Sequence, residues 1–473
     1  MKKLFFVFLV FLASFAGMAQ PGFNRVAGSW LGTLDVGVAK MRIGLLVSDS
    51  SGTLISKLMS PDQGVMNIRV DKTEFADDTL KIVSKEISAS FKGIVTKEND
   101  SLKGFFIQGR KFPLTLLRVE KLPELLRPQE PKKPFPYTEE EITFTNDKAG
   151  ISLSGTLTLP SSGSNFTAVV LVTGSGPQNR DEELLGHKPF LVISDYLTKN
   201  GIAVLRYDDR GIGKSKGVFS TATTADFADD AEAAFKFLQH DKRINSGKIG
   251  IIGHSEGGLI APMVASRNKD VAFIVMLAGP GLKGKDILLL QSALIARADS
   301  TSENEIKENN KLNKKLYDVA IKEKDDKKAA DKMRKLIDDY WNTLSPETIK
   351  NIGVDKKALI QSVYQILAPW FRYFISYDPK NVLTKISCPV LALNGSKDLQ
   401  VPPAENLAAI KKYLTKAGNK DFTVKEFEGL NHLFQHAATG SPSEYINIEE
   451  TFSPEVLDFL TQWIKKLNSN ENN

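Results

Sequence analysis

Apolar and polar residues alternate with a period of two from about residue 28 to residue 119, in short runs separated by turn-forming residues. The pattern predicts eight strands, at residues 30–36, 40–47, 52–58, 66–70, 79–82, 87–95, 101–108 and 114–119. Half-buried strands at this spacing are typical of a small barrel or sandwich. The sequence therefore predicts an all-β, barrel-like N-terminal domain over residues 20–121.

A proline-rich segment follows, LPELLRPQEPKKPFPY, at residues 122–137. Proline lacks the backbone N–H and fixes φ, so repeated prolines disfavour both helix and sheet. We interpret this segment as a linker between two domains.

Beyond residue 137 the pattern changes to nearly continuous apolar strands that alternate with helical segments. The predicted strands lie at residues 168–172, 202–207, 248–252, 271–277, 390–393 and 422–427. Such strands are typical of a mostly parallel sheet that helices cover on both faces. The second domain is therefore predicted to be α/β, over residues 138–467, before a polar tail at residues 468–473.

A long interval, at about residues 283–385, separates two of the predicted strands and has mainly helical periodicity. An insertion at that point emerges at the carboxyl ends of the strands, where open α/β sheets bind ligands. We predict that it forms a helical cap. Its aromatic segment, residues 370–377, is compatible with a pocket lining and equally with the cap's own core.

The N-terminus has the three regions of a secretory signal peptide. Lys2 and Lys3 precede the apolar run at residues 4–16, and small residues up to Ala19 follow it. The run is shorter than the ~20 residues that span a bilayer. The sequence predicts a signal peptide at residues 1–19, a periplasmic or secreted location, and no stable membrane anchor after cleavage.

Charge and cysteine content narrow the possible partners. The chain has 62 Lys and Arg against 56 Asp and Glu over 473 residues, so no strong basic excess favours a nucleic-acid partner. Cys388 is the only cysteine, which excludes an intramolecular disulfide. The composition gives no indication of oligomeric state.

The segment GHSEGG, residues 253–258, follows a predicted strand and precedes a predicted helix. In a nucleophile elbow, a serine occupies the sharp turn between strand and helix, and the flanking glycines allow the close chain approach. A bare G-x-S-x-G pattern is weak, but the strand before it and the helix after it strengthen it. Ser255 is the predicted nucleophile.

A serine hydroxyl needs a base within hydrogen-bond reach. His432 follows the last predicted strand, where the chain order serine, acid, histidine requires the base, and His436 is the alternative. Asp398 follows the strand at residues 390–393 and is the predicted acid, with Asp378 and Asp421 as alternatives. No metal or cofactor is predicted.

The strand at residues 168–172 ends in a glycine-rich turn, Gly174-Ser175-Gly176-Pro177. Such a turn leaves backbone N–H groups free to stabilise an oxyanion. The predicted donors are the N–H groups of Ser175 and Glu256, with that of Gly176 as a substitute. The segment YDDRGIGKS, residues 207–215, lacks the glycine spacing of nucleotide sites and is interpreted as a structural loop.

Five segments occur in an order that resembles the bacterial α/β-hydrolase superfamily. They are GSGPQNRDE at 174–182, YDDRGIGKS at 207–215, GHSEGG at 253–258, LNGSKDLQVPP at 393–403 and GLNHLFQ at 429–435. The chain looks most like secreted carboxylesterases that carry an N-terminal β-domain. The resemblance implies the α/β-hydrolase fold and a triad of Ser255, Asp398 and His432. The chain departs from the family pattern at Thr173, where many esterases have histidine.

The expected activity is hydrolysis of a small-molecule ester through an acyl-enzyme. The same triad would serve a peptidase or a thioesterase, because triad geometry does not specify the leaving group. A binding protein with a non-catalytic hydrolase scaffold is the alternative from another class. The sequence does not decide among acyl or alcohol groups, and it does not assign a role to the β-domain.

Overall fold

The computed structural model describes residues 23–37, 40–50, 52–124, 126–345, 349 and 356–469. The predicted signal peptide lies outside these residues. The chain divides into two compact units, Met1–Leu125 and Leu126–Asn473. Within the described ranges, no helix is long and apolar enough to cross a membrane.

The described part of the first unit is a single antiparallel sheet. Its strands are β1 (Gly28–Asp35), β2 (Lys40–Ser50), β3 (Thr53–Ser60), β4 (Val65–Arg69), β5 (Lys72–Ala76), β6 (Thr79–Ser84), β7 (Ala89–Val95), β8 (Ser101–Gln108) and β9 (Arg110–Val119). They are ordered β4-β3-β2-β1-β9-β8-β7-β6-β5. Strand β5 was not predicted, because its run KTEFA is short and largely polar.

The sheet curls back on itself, since the Thr73 hydroxyl of β5 donates to the Ser56 hydroxyl of β3 at 2.9 Å. Its concave side is filled by apolar side chains around Trp30, which is fully buried. The Arg118 guanidinium covers the Trp30 ring at 4.1 Å, which adds a cation–π contact. The prediction of an all-β, barrel-like unit is confirmed.

The second unit contains an eight-stranded sheet within the described residues. Its strands are β10 (Tyr137–Asn146), β11 (Ile151–Pro160), β12 (Phe166–Val172), β13 (Ala203–Tyr207), β14 (Ile244–His254), β15 (Phe273–Leu277), β16 (Val390–Gly395) and β17 (Phe422–Phe427). The order is β10-β11-β13-β12-β14-β15-β16-β17. From β13 onward neighbouring strands pair in parallel, whereas β10 and β11 form an antiparallel hairpin that pairs antiparallel with β13.

The β10–β11 hairpin was not among the predicted strands. Strand β11 is buried over most of its length, although its sequence ISLSGTLTLP contains several hydroxyl groups. The hydroxyls of Ser154, Thr156 and Thr158 are satisfied internally, as in the 2.6 Å hydrogen bond between Thr158 and Thr198. Because β11 is rich in hydroxyl residues, the pattern of apolar runs does not predict this buried strand.

Helices cover both faces of this sheet and also fill the interval after β15. They are α1 (Pro189–Lys199), α2 (Thr224–His240), α3 (Gly257–Arg267), α4 (Gly284–Ala298), α5 (Glu303–Lys322), α6 (Asp326–Trp341), α7 (Lys356–Ile366), α8 (Pro369–Ser376), α9 (Lys380–Leu383), α10 (Pro403–Lys416) and α11 (Pro454–Ser469).

Successive residues of the central strand β12 serve opposite faces of the sheet. Val170 packs with α2 and α3, whereas Val169 and Leu171 pack with α1 and α11. Burying each aliphatic side chain contributes about 1.5–3 kcal/mol, so the strand is stabilised from both sides. The predicted α/β-hydrolase sheet with helices on both faces is confirmed.

Helices α4 to α9 lie between β15 and β16, in the interval predicted to form the cap. Several of them share a core of their own, which includes Leu316, Met333, Ile337 and Val363. Helix α5 begins at a capping box, in which the Ser302 side chain accepts from the Glu305 N–H and the Glu305 carboxylate accepts from the Ser302 N–H. We keep the name helical cap for residues 284–383.

Candidate active site

The elbow, residues 253–258, joins the end of β14 to the start of α3. Ser255 lies at its apex with a φ of 53°, a left-handed conformation that is uncommon for a residue with a side chain. A Cβ on Gly257 would lie 2.1 Å from the Val172 carbonyl oxygen, so only glycine fits beside β12. The strained serine is therefore held by close backbone packing, and it remains partly exposed.

Asp398 and His432 meet at the carboxyl ends of β16 and β17. Asp398 Oδ2 lies 2.8 Å from His432 Nδ1, and both residues are buried. The other carboxylate oxygen accepts from the backbone N–H groups of Gln400 and Val401, each at 2.8 Å. Because a carboxylate only accepts, this arrangement places the imidazole proton on Nδ1 and leaves Nε2 as the basic nitrogen.

Three of the other histidines, His436, His187 and His240, lie away from Asp398. His436 is exposed and its Nδ1 lies 2.8 Å from Glu450. His187 is buried between the Thr451 hydroxyl and the Tyr445 carbonyl, and burial lowers its pKa to about 4. His240 is exposed at the end of α2. The structure therefore brings His432, and not the alternative His436, to Asp398.

Ser255 is beside this pair but is not hydrogen-bonded to it. Among the described residues, no group forms a hydrogen bond with Ser255 Oγ, while the backbone N–H of Ser255 donates to Leu277 at 2.9 Å. The neighbouring His254 ring lies 4.8 Å from the His432 ring, centroid to centroid. The elbow and the imidazole are thus adjacent, without a formed Ser255–His432 contact.

The glycine-rich loop, residues 174–182, lies directly against the elbow. A Cβ on Gly174 would stand 3.2 Å from Ser255 Cβ. The Gly174 N–H is already engaged by Glu182, at 2.7 Å. Within the described part of the chain, the N–H groups of Ser175 and Glu256, the two predicted donors, have no hydrogen-bond acceptor.

Two consecutive aspartates after β13 hold the glycine-rich loop in place. Asp208 accepts from the Arg180 guanidinium and from the Arg180 N–H. Asp209 accepts from the Thr173 hydroxyl and the Gln178 N–H, both at 2.9 Å. Burial raises the pKa of Asp209 to about 8. The segment YDDRGIGKS is therefore a structural loop that supports the glycine-rich loop through these hydrogen bonds.

Arg180 and Asp181, whose roles the sequence did not assign, form ion pairs within the unit. Arg180 contacts Asp208, and Asp181 contacts Arg206 of β13. Thr173 stands where many esterases have histidine, and its hydroxyl is the group that binds Asp209. These contacts hold the backbone of the glycine-rich loop in place.

The sequence predicts a role for the Glu256 N–H but none for its side chain, which joins the elbow to the helical cap. Its Oε1 accepts from the Trp370 indole N–H at 2.7 Å and from the Thr224 hydroxyl at 2.6 Å. Burial raises the pKa of this carboxyl to about 7, although both hydrogen bonds act to lower it. Trp370 belongs to the predicted aromatic segment, and that segment is the feature of the sequence that pointed to a contact between cap and elbow.

Trp370 and Phe371, in the aromatic segment, pack against different apolar clusters. Trp370 packs beside Leu259 of α3 and Val401, near the elbow. Phe371 points into the core of the helical cap, with its ring 5.5 Å from that of Tyr317. Adjacent residues of α8 therefore face different surroundings.

No cluster of three or more histidine, cysteine, aspartate or glutamate side chains in the described ranges is arranged to hold a metal ion. Cys388 is a free thiol that packs beside the main core, and burial raises its pKa to about 11. Neither observation assigns a ligand to the site.

An eight-stranded, mostly parallel sheet with a strained serine elbow and a buried aspartate–histidine pair at its strand ends defines an α/β-hydrolase. The model of the family described as serine aminopeptidase, S33, matches residues 190–436, which is more than half of the chain. The chain belongs to this family and is a serine hydrolase. The matched range includes Ser255, Asp398 and His432.

Individual relatives are also esterases or hydrolases. The chain is 24% identical to esterase EstD of Thermotoga maritima over 394 residues, which cover 83% of this chain and 80% of that protein. Among solved structures, the Pyrococcus furiosus esterase Pf2001 is 19% identical, with a TM-score of 0.39 over 69% of this chain and 93% of that one. The α/β-hydrolase GrgF of Penicillium sp. sh18 is 16% identical, with a TM-score of 0.43 over 71% and 99% of the two chains.

Proposed function

We propose that this serine hydrolase cleaves carboxylic esters through an acyl-enzyme, with Ser255 as nucleophile, His432 as base and Asp398 as orienting acid. The observation that carries the proposal is the buried 2.8 Å contact between Asp398 and His432 next to the strained, partly exposed Ser255. A free basic nitrogen and an exposed hydroxyl on adjacent strand-end loops are what acyl transfer requires.

In the first half of the reaction, Ser255 Oγ attacks the ester carbonyl carbon and His432 Nε2 takes the hydroxyl proton. Asp398 stabilises the resulting imidazolium without accepting its proton. The tetrahedral intermediate then expels the alkoxide, which leaves as the alcohol after taking the proton from His432. The Ser255–His432 hydrogen bond would form on substrate binding, since catalytic hydrogen bonds often tighten only in the complex.

Backbone N–H groups would stabilise the negative charge on the carbonyl oxygen. Those of Ser175 and Glu256 are the proposed donors, because they lie on the two segments that meet at Ser255 and have no acceptor within the described residues. A water molecule, deprotonated by His432, would then attack the acyl-enzyme. Release of the carboxylic acid restores Ser255.

Two observations bear on the leaving group. The esterase EstD matches most of the chain, which supports an ester. The family description names aminopeptidases, so peptide hydrolysis is the second candidate. A panel of nitrophenyl esters of increasing acyl length, run beside aminoacyl anilides, decides between them. Faster turnover of the anilides by kcat/KM would replace the ester proposal with the peptidase one.

The proposed substrate is a small molecule and the proposed location is the periplasm or the exterior of the cell. The location rests on the signal-peptide pattern of residues 1–19. Fractionation of cells that express the full chain, with N-terminal sequencing of the product, tests it. An intact N-terminus in the cytoplasmic fraction would contradict it.

The decisive experiment on the chemistry is Ser255→Ala. We expect kcat on an activated ester to fall at least ~10³-fold with the fold intact, because the triad acts as one unit. Wild-type protein should bind a fluorophosphonate covalently at Ser255, and the variant should not. A variant that keeps more than a tenth of the activity would remove Ser255 from the mechanism. Wild-type protein that neither hydrolyses the ester nor binds the fluorophosphonate would favour a binding role for the scaffold.

A further inference from the structure

A second acid–histidine pair lies behind the proposed triad and takes no part in the mechanism above. Glu182 Oε1 lies 2.9 Å from His254 Nδ1, and His254 Nε2 lies 3.0 Å from the carbonyl oxygen of His432. Glu182 is 4% exposed and His254 5% exposed. The pair is separated by 72 residues in sequence, so it arises from the fold.

This pair touches three parts of the site at once. Glu182 Oε1 also accepts from the Gly174 N–H at 2.7 Å, at the start of the glycine-rich loop. His254 immediately precedes Ser255 on the elbow. Its other nitrogen reaches the backbone of His432. Gly174, Ser255 and His432 are therefore tied together through one carboxylate and one imidazole.

The two bonds of His254 define its protonation. A carbonyl oxygen accepts hydrogen bonds and does not donate them, so Nε2 carries a proton. Nδ1 faces a carboxylate oxygen that already accepts from Gly174. The geometry thus fits a doubly protonated imidazole beside an ionised Glu182. Burial lowers the pKa of His254, but the charge and hydrogen bond of Glu182 outweigh it and raise the pKa on balance.

Glu182 occupies this position at a cost to the fold. Its φ is 52°, in the left-handed region. Its Oε2 is buried without a hydrogen-bond partner in the described residues. Phe190, Leu433 and Phe452 line the space beside the pair, so the surroundings are apolar and strengthen its electrostatic interaction.

We infer that Glu182 and His254 are positioning residues, which hold the glycine-rich loop and the backbone of the base at a set distance from Ser255. The inference rests on the proposed function, because it assigns the pair a role in that reaction. Loss of the hydrogen bonds made by Glu182 and His254 should let the proposed oxyanion donors and the His432 imidazole shift relative to Ser255. Displacements of about 1 Å lower catalytic rates by on the order of 100-fold.

Glu182→Gln tests this inference, because it keeps the shape of the side chain and removes the charge that supports a doubly protonated His254. We expect kcat per fluorophosphonate-titrated site to fall about 10- to 100-fold, with KM changed by less than about threefold. The matched control is Glu183→Gln, the same change at the adjacent exposed carboxylate, which should leave both constants near wild type.

His254→Gln completes a double-mutant cycle and provides a second variant if Glu182→Gln does not fold. If the two residues act as a unit, the double variant should be no slower than the slower single variant. Additive losses, or a kcat per titrated site within twofold of wild type, would overturn the inference. Ser255→Ala separates the two proposals: an inactive Ser255→Ala beside a fully active Glu182→Gln refutes the positioning role alone.

Discussion

The strand-end loops and the helical cap hold their functional side chains in different ways. Asp398 is fixed by two backbone N–H groups and by His432, all within the loops that follow β16 and β17. The cap has its own apolar core, and among its described residues the Trp370 indole makes a polar contact with the elbow. We therefore expect the loops to determine the chemistry and the cap to influence which substrates reach Ser255.

The largest expected effects come from the loops. Alanine at His432 or at Asp398 should lower kcat on a nitrophenyl ester at least ~10³-fold, with the aspartate variant somewhat less affected, because the aspartate acts through the histidine. Steady-state kinetics at saturating substrate measure this loss. His436→Ala is the control and should cost little, since His436 contacts Glu450. An inactive His436→Ala would show that His436, and not His432, is the base.

Smaller effects are expected from the helical cap, and they should differ between adjacent residues. Trp370→Phe keeps an aromatic ring but removes the indole donor to Glu256, so it should change relative kcat/KM among acyl lengths by about three- to tenfold at nearly constant Tm. Phe371→Ala should lower Tm by several degrees, because removing a core aromatic side chain costs about 3 kcal/mol, with the acyl-length profile unchanged.

Both Trp370 and Phe371 variants require acyl-length profiles and thermal melts on the same preparations. If the acyl-length profile is the same in wild type and in both variants, the cap does not contribute to selectivity. In that case the cap would contribute to the stability of the protein and not to its choice of substrate.

The smallest expected effect is a change in pH dependence at the contact between cap and elbow. The Glu256 carboxyl titrates at about 7 in the folded protein and near 4.5 without its surroundings, because burial disfavours its charge. The folded state therefore binds more protons between those values. The free energy of unfolding from this group falls as pH rises through that window.

Glu256→Gln removes the titration and keeps an acceptor for Trp370 and Thr224. Between about pH 4.5 and about pH 7, we expect the Tm of this variant to fall less, or to rise more, than the Tm of wild type. Glu183→Gln, at an exposed site, should leave the slope as it is. Parallel curves for wild type and Glu256→Gln would show that the cap contact does not depend on ionisation of this carboxyl.

Much of the fold follows from local pattern. Period-two alternation predicted the β unit, and apolar strands between helices predicted the parallel sheet. Two strands are exceptions: β5 is short and charged, and β11 carries hydroxyls whose partners come from distant segments, such as Thr198 of α1. Strand-end motifs also named Ser255, Asp398 and His432 as candidates, because a parallel sheet brings its carboxyl ends to one edge.

The sequence by itself determined the order of the elements, the class of fold and the candidate nucleophile, since each depends on residues close together in the chain. Tertiary structure alone decided that Glu182 meets His254 and that Trp370 meets Glu256, pairs that are 72 and 114 residues apart. Such contacts depend on how distant backbone segments are placed, and a hydrogen bond tolerates only a few tenths of an ångström. No local pattern of apolar and polar residues carries that information.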